Sequence, residues 1–375
     1  MRANHVCVFA ALAVAGCGPI SSFAPSPPSL HEVPAAIPAA KLKFTTFTAG
    51  KTTGFLSSAF SWDIAAAPSG NVWFTDKNTP AIGRITASGR VKEFQKGLQP
   101  GGLPWSIVAG PDGNMWFTDA FTGAIGRVTP GGTIKEFTNP AFAGAGAYEI
   151  VVGSDNALWA MEYYNQCAKA SFLARVTTDG TVSRIALPTM CADGSLAAGA
   201  DGAFWFLATS RKGRDRSAIL LVERRADGSL VEHKTGLAPA LQIGGSKTAA
   251  RHLTLGADAR PWFTTLSYAK ESGAATKPLA TFQPPKGLRF YRLIDRQLGV
   301  LPAFPNGIAN DGTDLWLTGT RENVIAPVKG ALFRVKSDGS YESYTIPYTP
   351  YGITWSAPAV WFTAGSQIVE ARSSD

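Results

Sequence analysis

DGNMWFTD, residues 112–119, is the stretch of this sequence that decides its fold. A near copy, SGNVWFTD, stands upstream at residues 69–76, and its tryptophan recurs along the chain. The recurring residues, at spacings of 43, 43, 46, 57, 54 and 45, are Trp73, Trp116, Trp159, Trp205, Trp262, Trp316 and Trp361. A period in the forties built of strand-like pieces is typical of a β-propeller with one blade per repeat. The sequence therefore predicts an all-β fold with seven blades.

Each repeat has the pattern of four short strands. In the second repeat they are residues 106–110, 115–119, 124–129 and 133–137, separated by turns rich in Asp, Gly and Pro. Turns of this composition join antiparallel strands. An apolar residue eight or nine positions ahead of each tryptophan marks the first strand: Ile64, Ile107, Ile150, Leu196, Leu253, Ile308 and Ile353. We therefore predict seven blades of four antiparallel strands.

The seventh blade is one strand short at the end of the chain. After Trp361 a single strand-like segment remains, at residues 367–371. The missing strand is expected upstream, because KFTTF at residues 43–47 shows the same alternation. We predict that this segment pairs with the last blade and closes the ring, which leaves no bare sheet edge there.

The N-terminal segment has the features of an export signal. Residues 1–16 combine Arg2 with an apolar run at 6–15 that is too short to span a bilayer. Val14-Ala15-Gly16-Cys17 resembles a bacterial lipobox, which implies a lipid on Cys17; the alternative is an ordinary secretory signal with a chance cysteine. Residues 17–40 are rich in Pro, Ala and Ser, which predicts an extended tether, and residues 41–375 form the propeller.

These features predict a cell-envelope protein held to the membrane by its lipid alone. Gly18, rather than Asp, follows the cysteine, which favours the outer membrane, facing the periplasm or the cell surface. A net charge of +8 over 375 residues, without a concentrated basic stripe, argues against nucleic acid. We expect a monomer whose partner is a small molecule, a glycan or an envelope protein. In an exported chain Cys167 and Cys191 predict a structural disulfide, in preference to a metal or redox site.

Candidate site residues converge at one end of the central channel, where the first strand of a blade starts and the second ends. Three acids follow their tryptophans by three positions: Asp76, Asp119 and Glu162. Together they suit Mg²⁺ or Ca²⁺; the alternative is that they end strands by bonding neighbouring backbone N–H groups. The ligand-binding candidates at the strand starts are Trp62, Trp105, Tyr148, Arg251, Asn306 and Tyr351. Their aromatic rings suit a planar ring or a sugar, or they only pack.

His252 stands at a channel-facing position at the start of the fifth blade. A histidine there is a candidate general acid or base. The alternative is a structural histidine, since the sequence indicates no partner for it. His233, at the end of a fourth strand, is expected to be solvated on the outer rim.

The second repeat, GPDGNMWFTD (110–119), GAIGRVTPGG (123–132) and IKEF (134–137), resembles the repeat of streptogramin B lyases, the virginiamycin B lyase family. The resemblance extends over residues 43–375. It implies a seven-bladed propeller and an elimination that opens the lactone of cyclic depsipeptides with magnesium and a general base. The family's Glu-x-His pair has no counterpart here, and Thr265, Gly319 and Ala364 replace its late-blade acids. Its channel histidine is matched by His252 alone.

Two functions are consistent with this sequence. The first is an envelope lipoprotein whose propeller binds a ligand or partner at the channel mouth. The second is a magnesium-dependent carbon–oxygen lyase with a relocated site, in which Asp76, Asp119 and Glu162 hold the metal and His252 takes a proton.

Overall fold

The structure is a computed structural model. It describes residues 36, 39–138, 145–163, 171–210, 219–235, 237, 250–265, 279–284, 286–291, 293–295, 299–300, 304–320 and 329–374. The predicted signal peptide and Cys17 lie outside the described residues. No helix long and apolar enough to cross a membrane occurs in the described part of the chain.

The described residues are organised as strands. In chain order these are β1 (Leu42–Thr48), β2 (Ser61–Ala66), β3 (Val72–Asp76), β4 (Ala81–Ile85), β5 (Val91–Phe94), β6 (Pro104–Ala109), β7 (Met115–Asp119), β8 (Ile125–Val128), β9 (Ile134–Phe137), β10 (Gly146–Val152), β11 (Leu158–Tyr163), β12 (Ser171–Val176), β13 (Val182–Leu187), β14 (Met190–Ala198), β15 (Phe204–Ser210), β16 (Ile219–Arg224), β17 (Leu230–Lys234), β18 (Ala250–Leu255), β19 (Pro261–Thr265), β20 (Leu279–Gln283), β21 (Gly287–Tyr291), β22 (Ile294–Asp295), β23 (Gly299–Val300), β24 (Phe304–Asn310), β25 (Leu315–Thr320), β26 (Gly330–Val335), β27 (Tyr341–Ile346), β28 (Ile353–Ser356), β29 (Ala359–Thr363) and β30 (Gln367–Ser373).

Seven four-stranded antiparallel sheets form the blades, as predicted. Blades 1 to 6 are β2–β5, β6–β9, β10–β13, β14–β17, β18–β21 and β24–β27. A two-stranded ribbon, β22–β23, stands between blades 5 and 6. Blade 7 has the order β1-β30-β29-β28, so its outermost strand comes from the other end of the propeller sequence.

Strand β1 closes the ring, which confirms the prediction for residues 43–47. It pairs antiparallel with β30, with Phe44 opposite Ala371 and Phe47 opposite Ile368. Phe47 is buried and stacks on Trp361 at 5.8 Å between ring centroids. Blade 7 also reaches blade 1 directly, since Ser61 N donates to Gly365 O at 2.8 Å. The ring is therefore continuous from the last blade to the first.

The repeated motif specifies both the turn and the hydrogen bond that positions its tryptophan. Gly113 adopts φ +76°, which the turn between β6 and β7 requires. The Asp112 carboxylate accepts from Asn114 N at 3.2 Å and from the Trp116 indole at 3.0 Å. Trp116 is fully buried, and it packs into the cluster between blades 2 and 3. The described residues form seven such apolar clusters, one between each pair of neighbouring blades.

Candidate functional site

A β-bulge opens the first strand of six blades at the positions predicted to line the mouth. The register shifts lie between Ser61 and Ile64, Pro104 and Ile107, Ala147 and Ile150, Ala192 and Leu196, Ala250 and Leu253, and Pro305 and Gly307. An extra residue in one strand bends it and changes the direction of its side chains. The bulge thus separates the mouth residues from the regular alternation that fills the core.

A buried threonine on the second strand stabilises each of several bulges and links it to the next blade. Thr75 Oγ1 accepts from the bulged Asp63 N at 3.1 Å and donates to Trp105 O of blade 2 at 3.0 Å. Thr363 Oγ1 likewise donates to Trp62 O of blade 1 at 2.7 Å. Thr118 bonds Tyr148 O in the same way. These bonds fix the backbone that carries the mouth aromatics.

Four predicted residues, Tyr351, Trp62, Trp105 and Tyr148, form one continuous series of ring contacts, which we call the aromatic arc. Tyr351 lies 5.3 Å from Trp62, Trp62 lies 5.0 Å from Trp105, and Trp105 lies 5.4 Å from Tyr148. The residues come from blades 7, 1, 2 and 3, and all four are partly exposed. The structure therefore brings together four of the six predicted ligand-binding residues.

Lys77, which sequence reasoning missed, lies against the middle of the aromatic arc. Its Nζ is 3.4 Å from the centroid of the Trp62 ring and 3.9 Å from that of Trp105, which is cation–π geometry. Burial lowers the pKa of Lys77 to about 8. The available sequence signal was its position directly after Asp76, where blade 2 has Ala120.

Asp76 and Asp119 are fully buried, and their carboxylates are directed at backbone amides. Asp119 accepts from Leu103 N at 2.9 Å, from Phe121 N at 2.9 Å and from Thr122 N at 2.8 Å. Asp76 repeats the pattern with Phe60 N at 2.8 Å and Asn78 N at 3.0 Å. Each acid thus ties the incoming first strand to the loop that leaves the second strand, which is the structural alternative stated above.

Glu162 has a different partner. It is fully buried on β11, and Arg184 Nε on β13 of the same blade donates to its carboxylate at 2.7 Å. Burial raises the pKa of Glu162 to about 7, while the Arg184 charge opposes that rise.

The three acids do not fit a shared metal site in this arrangement. Two of them bind backbone N–H groups and the third binds an arginine, so each carboxylate is directed at a separate protein partner. In the ranges that the structure describes, no three His, Cys, Asp or Glu side chains are grouped closely enough to hold a metal ion. The Mg²⁺ or Ca²⁺ hypothesis stays a prediction, and we derive no chemical step from it.

Two glutamates of the outer strands form buried carboxyl pairs with the mouth acids. Glu93 accepts from Leu56 N at 2.6 Å, and Glu136 accepts from Gln99 N at 2.8 Å. Burial, together with Asp76 and Asp119 respectively, raises the pKa of each glutamate to about 7. Both glutamates lie in a Lys-Glu-Phe sequence of the outermost strand, at residues 92–94 and 135–137. Their hydrogen bonds join this strand to the connection that precedes the first strand of the same blade.

These raised pKa values predict a loss of stability with rising pH. Unfolded glutamates lose their protons near pH 4.5, whereas Glu93 and Glu136 keep theirs until about pH 7. The free energy of unfolding therefore falls as the pH rises between these values. We expect Glu93→Gln with Glu136→Gln to raise the melting temperature at pH 8 and to leave it nearly unchanged at pH 4.5.

Thermal unfolding across pH 4.5–8 measures this effect. Glu232→Gln, at an exposed glutamate on β17, is the matched control and should follow wild type throughout. A double variant with the same pH profile as wild type would contradict the prediction.

The remaining candidates have less defined surroundings. His252 lies on β18, partly buried, within the bulge between Ala250 and Leu253. Asn306 Nδ2 donates to Pro350 O of the connection into blade 7 at 2.7 Å, so it links blades. Arg251 also lies on β18, but its side chain falls outside the described residues. The roles assigned to these three residues stay predictions.

The two other sequence-based expectations meet different outcomes. Cys191 is buried in the first strand of blade 4, β14, rather than in the connection before it; Cys167 lies outside the described residues, so the pairing stays a prediction. His233 is not a solvated rim residue. It packs against Phe282 of blade 5 at 4.2 Å and stacks on Trp205 at 5.6 Å, because blades 4 and 5 meet there.

Comparison with known proteins agrees with this fold. The model of the virginiamycin B lyase family matches residues 44–216. Virginiamycin B lyase from Staphylococcus aureus superposes with a TM-score of 0.65 at 22% identity, covering 88% of this chain and 99% of the enzyme. A streptogramin B lyase gives a TM-score of 0.63 at 20% identity, covering 88% and 97%.

Similarity in fold extends beyond the lyases. A structure described as YCF48 bound to D1 peptide gives a TM-score of 0.59 at 13% identity, covering 92% of this chain and 98% of that one. No curated protein matches the sequence significantly. The chain is thus a seven-bladed β-propeller similar to virginiamycin B lyase, and its residues 44–216 carry the sequence signature of that family.

Proposed function

We propose that this protein is a cell-envelope lipoprotein whose propeller binds a ligand or partner at the aromatic arc. The observation that carries the proposal is the contact among four partly exposed rings contributed by four blades. Side chains that merely fill a core are buried, as six of the seven blade tryptophans are. Rings that share one accessible surface, held by bulges and threonine bonds, suit a planar or sugar ligand.

The state of the acids supports binding in preference to catalysis. Asp76 and Asp119 bind backbone N–H groups, whereas the aromatic arc and Lys77 present partly exposed side chains at the mouth. The fold is compatible with such a role, since a propeller of similar structure is described with a bound peptide. A small molecule, a glycan or an envelope protein remain the proposed partners.

The test is ligand binding to the full chain with and without Trp105. We expect Trp105→Ala to weaken binding about 30-fold or more, because an interface indole is worth about 2 kcal/mol. Tryptophan fluorescence or calorimetry with glycan and aromatic libraries measures this effect.

Trp355→Ala is the matched control for the loss of an indole. Trp355 lies at the other end of β28 and stacks on Trp316 at 6.4 Å, away from the aromatic arc. Equal loss of affinity in both variants, with both still folded, would count against the aromatic arc as the site.

The anchor is part of the same proposal. Cys17 and the tether would place the domain at the bacterial envelope, on the outer membrane. Replacement of Cys17 by Ala should move the protein from the membrane fraction to the soluble fraction; retention at the membrane would contradict lipidation.

The second candidate function is a lyase of the virginiamycin B lyase type. The match of residues 44–216 to that family favours it, and His252 on β18 is the residue that we propose as its base. The binding experiment includes a cyclic depsipeptide lactone, with ring opening followed by mass spectrometry. Turnover that His252→Ala abolishes would establish this function, and an unchanged lactone would exclude that substrate.

A further inference from the structure

We propose that Lys77 selects the charge of the ligand, so that the aromatic arc binds a ring compound bearing an anionic group. The inference rests on the proposed function and adds the chemical class of its ligand. The ring would lie on the partly exposed indoles, and the anionic oxygens would accept hydrogen bonds from the Lys77 ammonium.

The backbone of Lys77 is fixed, and its side chain crosses from one blade to the next. β3 ends at Asp76, and Lys77 N donates to Phe60 O at 3.1 Å. From there the side chain reaches the rings of Trp62 on β2 and Trp105 on β6. The ammonium is therefore held at the junction of blades 1 and 2, in the middle of the aromatic arc.

Lys77 has no anionic partner among the described residues. None of the ion pairs in that part of the chain includes it, and its ammonium lies against the two indole faces. Burial is the cause of its lowered pKa, with no contribution from a neighbouring charge. A lysine ammonium carries three N–H donors, and an indole face stabilises the charge without supplying a lone pair in the manner of an oxygen.

The acids nearest to Lys77 in the sequence accept hydrogen bonds from backbone amides. Asp76 Oδ1 accepts from the backbone amides of Phe60 and Asn78, and Asp63 Oδ2 accepts from Ile107 N at 2.9 Å. Burial raises the pKa of both acids. We therefore assign a ligand oxygen as the acceptor for Lys77, since none of the hydrogen bonds and ion pairs among the described residues involves its ammonium.

The surroundings supply an apolar surface for the rest of such a ligand. Phe121, 72% exposed, lies in the loop that follows β7, and its N–H is bonded to Asp119 at the same end of the blade. The aromatic arc itself supplies the ring faces beside the Lys77 ammonium. This combination recognises aromatic carboxylates and uronic acids alike, because both present a flat apolar face and a carboxylate.

The experiment compares ligands that differ only in charge, using the full chain. The pairs are phenylacetate with phenylacetamide, and methyl glucuronide with methyl glucoside; titration calorimetry gives each affinity. We expect the acidic member of one pair to bind at least tenfold more tightly than its neutral partner. Which pair shows the preference distinguishes an aromatic acid from an acidic sugar.

Variants assign the preference to Lys77. In Lys77→Met the ratio of the affinity for the acidic ligand to that for the neutral ligand should fall to about one. In Lys77→Arg the ratio should be retained. Lys92→Met, at an exposed lysine on β5, should preserve it. Equal affinity for both members of each pair in wild type, or a preference that Lys77→Met leaves intact, would overturn the inference.

The two proposals fail in different ways. Neutral rings that bind equally well and lose affinity in Trp105→Ala would leave the aromatic arc as a binding site and remove the role of Lys77. No binding by any member of either pair would count against both proposals.

Discussion

Removal of β1 is expected to destabilise the propeller more than any single substitution in it. A chain that begins at residue 49 loses the whole β1–β30 ladder and the buried ring of Phe47. The loss of a buried phenylalanine alone costs about 3–5 kcal/mol. We expect the free energy of unfolding to fall by about 5 kcal/mol or more, with aggregation through the bare edge of β30.

The control for this truncation is a chain that begins at residue 36. That chain keeps β1 and the bridge between Ala36 and Tyr341, so its unfolding in urea should match that of the chain cleaved after residue 16. Equal stability of the chains starting at 36 and 49 would show that closure by β1 contributes little.

A point variant isolates the ring contact from the strand pairing. Phe47→Ala should lose about 3–5 kcal/mol because the side chain is buried against Trp361. Thr45→Ala, at an exposed position of the same strand, should lose little.

Replacement of Asp119 by Ala is expected to have the second largest effect, and the loss is one of stability. The change leaves the N–H groups of Leu103, Phe121 and Thr122 without the acceptor that the fully buried Asp119 carboxylate supplies. An unsatisfied buried donor costs about 1–3 kcal/mol. We expect a loss of about 3 kcal/mol or more, measured by urea denaturation.

Two controls define the cause of that loss. Asp119→Asn keeps one carbonyl oxygen as an acceptor and should fall between wild type and Asp119→Ala. Asp227→Ala, at an exposed turn, should stay close to wild type. If the carboxylates held a metal instead, millimolar Mg²⁺ or Ca²⁺ would raise the melting temperature of wild type and not of Asp119→Ala.

The sequence predicted the fold because its signals are local. Asp112 and Gly113 specify a turn, alternating residues specify strands, and the repeat length specifies one blade per tryptophan. The placement of residues 43–47 in blade 7 also followed from the sequence, because the seventh blade is one strand short at the end of the chain. None of these inferences needs the direction of a polar side chain.

The candidate site was predictable in location and only partly in content. The four rings of the aromatic arc were named, because first strands start where second strands end. The direction of Asp119 was left open, since metal binding and amide binding use the same carboxylate. Lys77 was missed because its neighbours in the sequence belong to blade 1. They do not indicate that its side chain also contacts Trp105 of blade 2.

The amino-acid sequence by itself determined the seven blades, their four strands and the closing strand, since hydrophobic alternation and turn residues act within a few positions of the chain. The tertiary structure alone decided that Trp62 meets Tyr351 and that Lys77 lies between two blades. Those contacts join residues of different blades. The first arises only when the ring closes, and the second arises when blades 1 and 2 pack together. The charge and shape of the mouth are therefore properties of the assembled propeller.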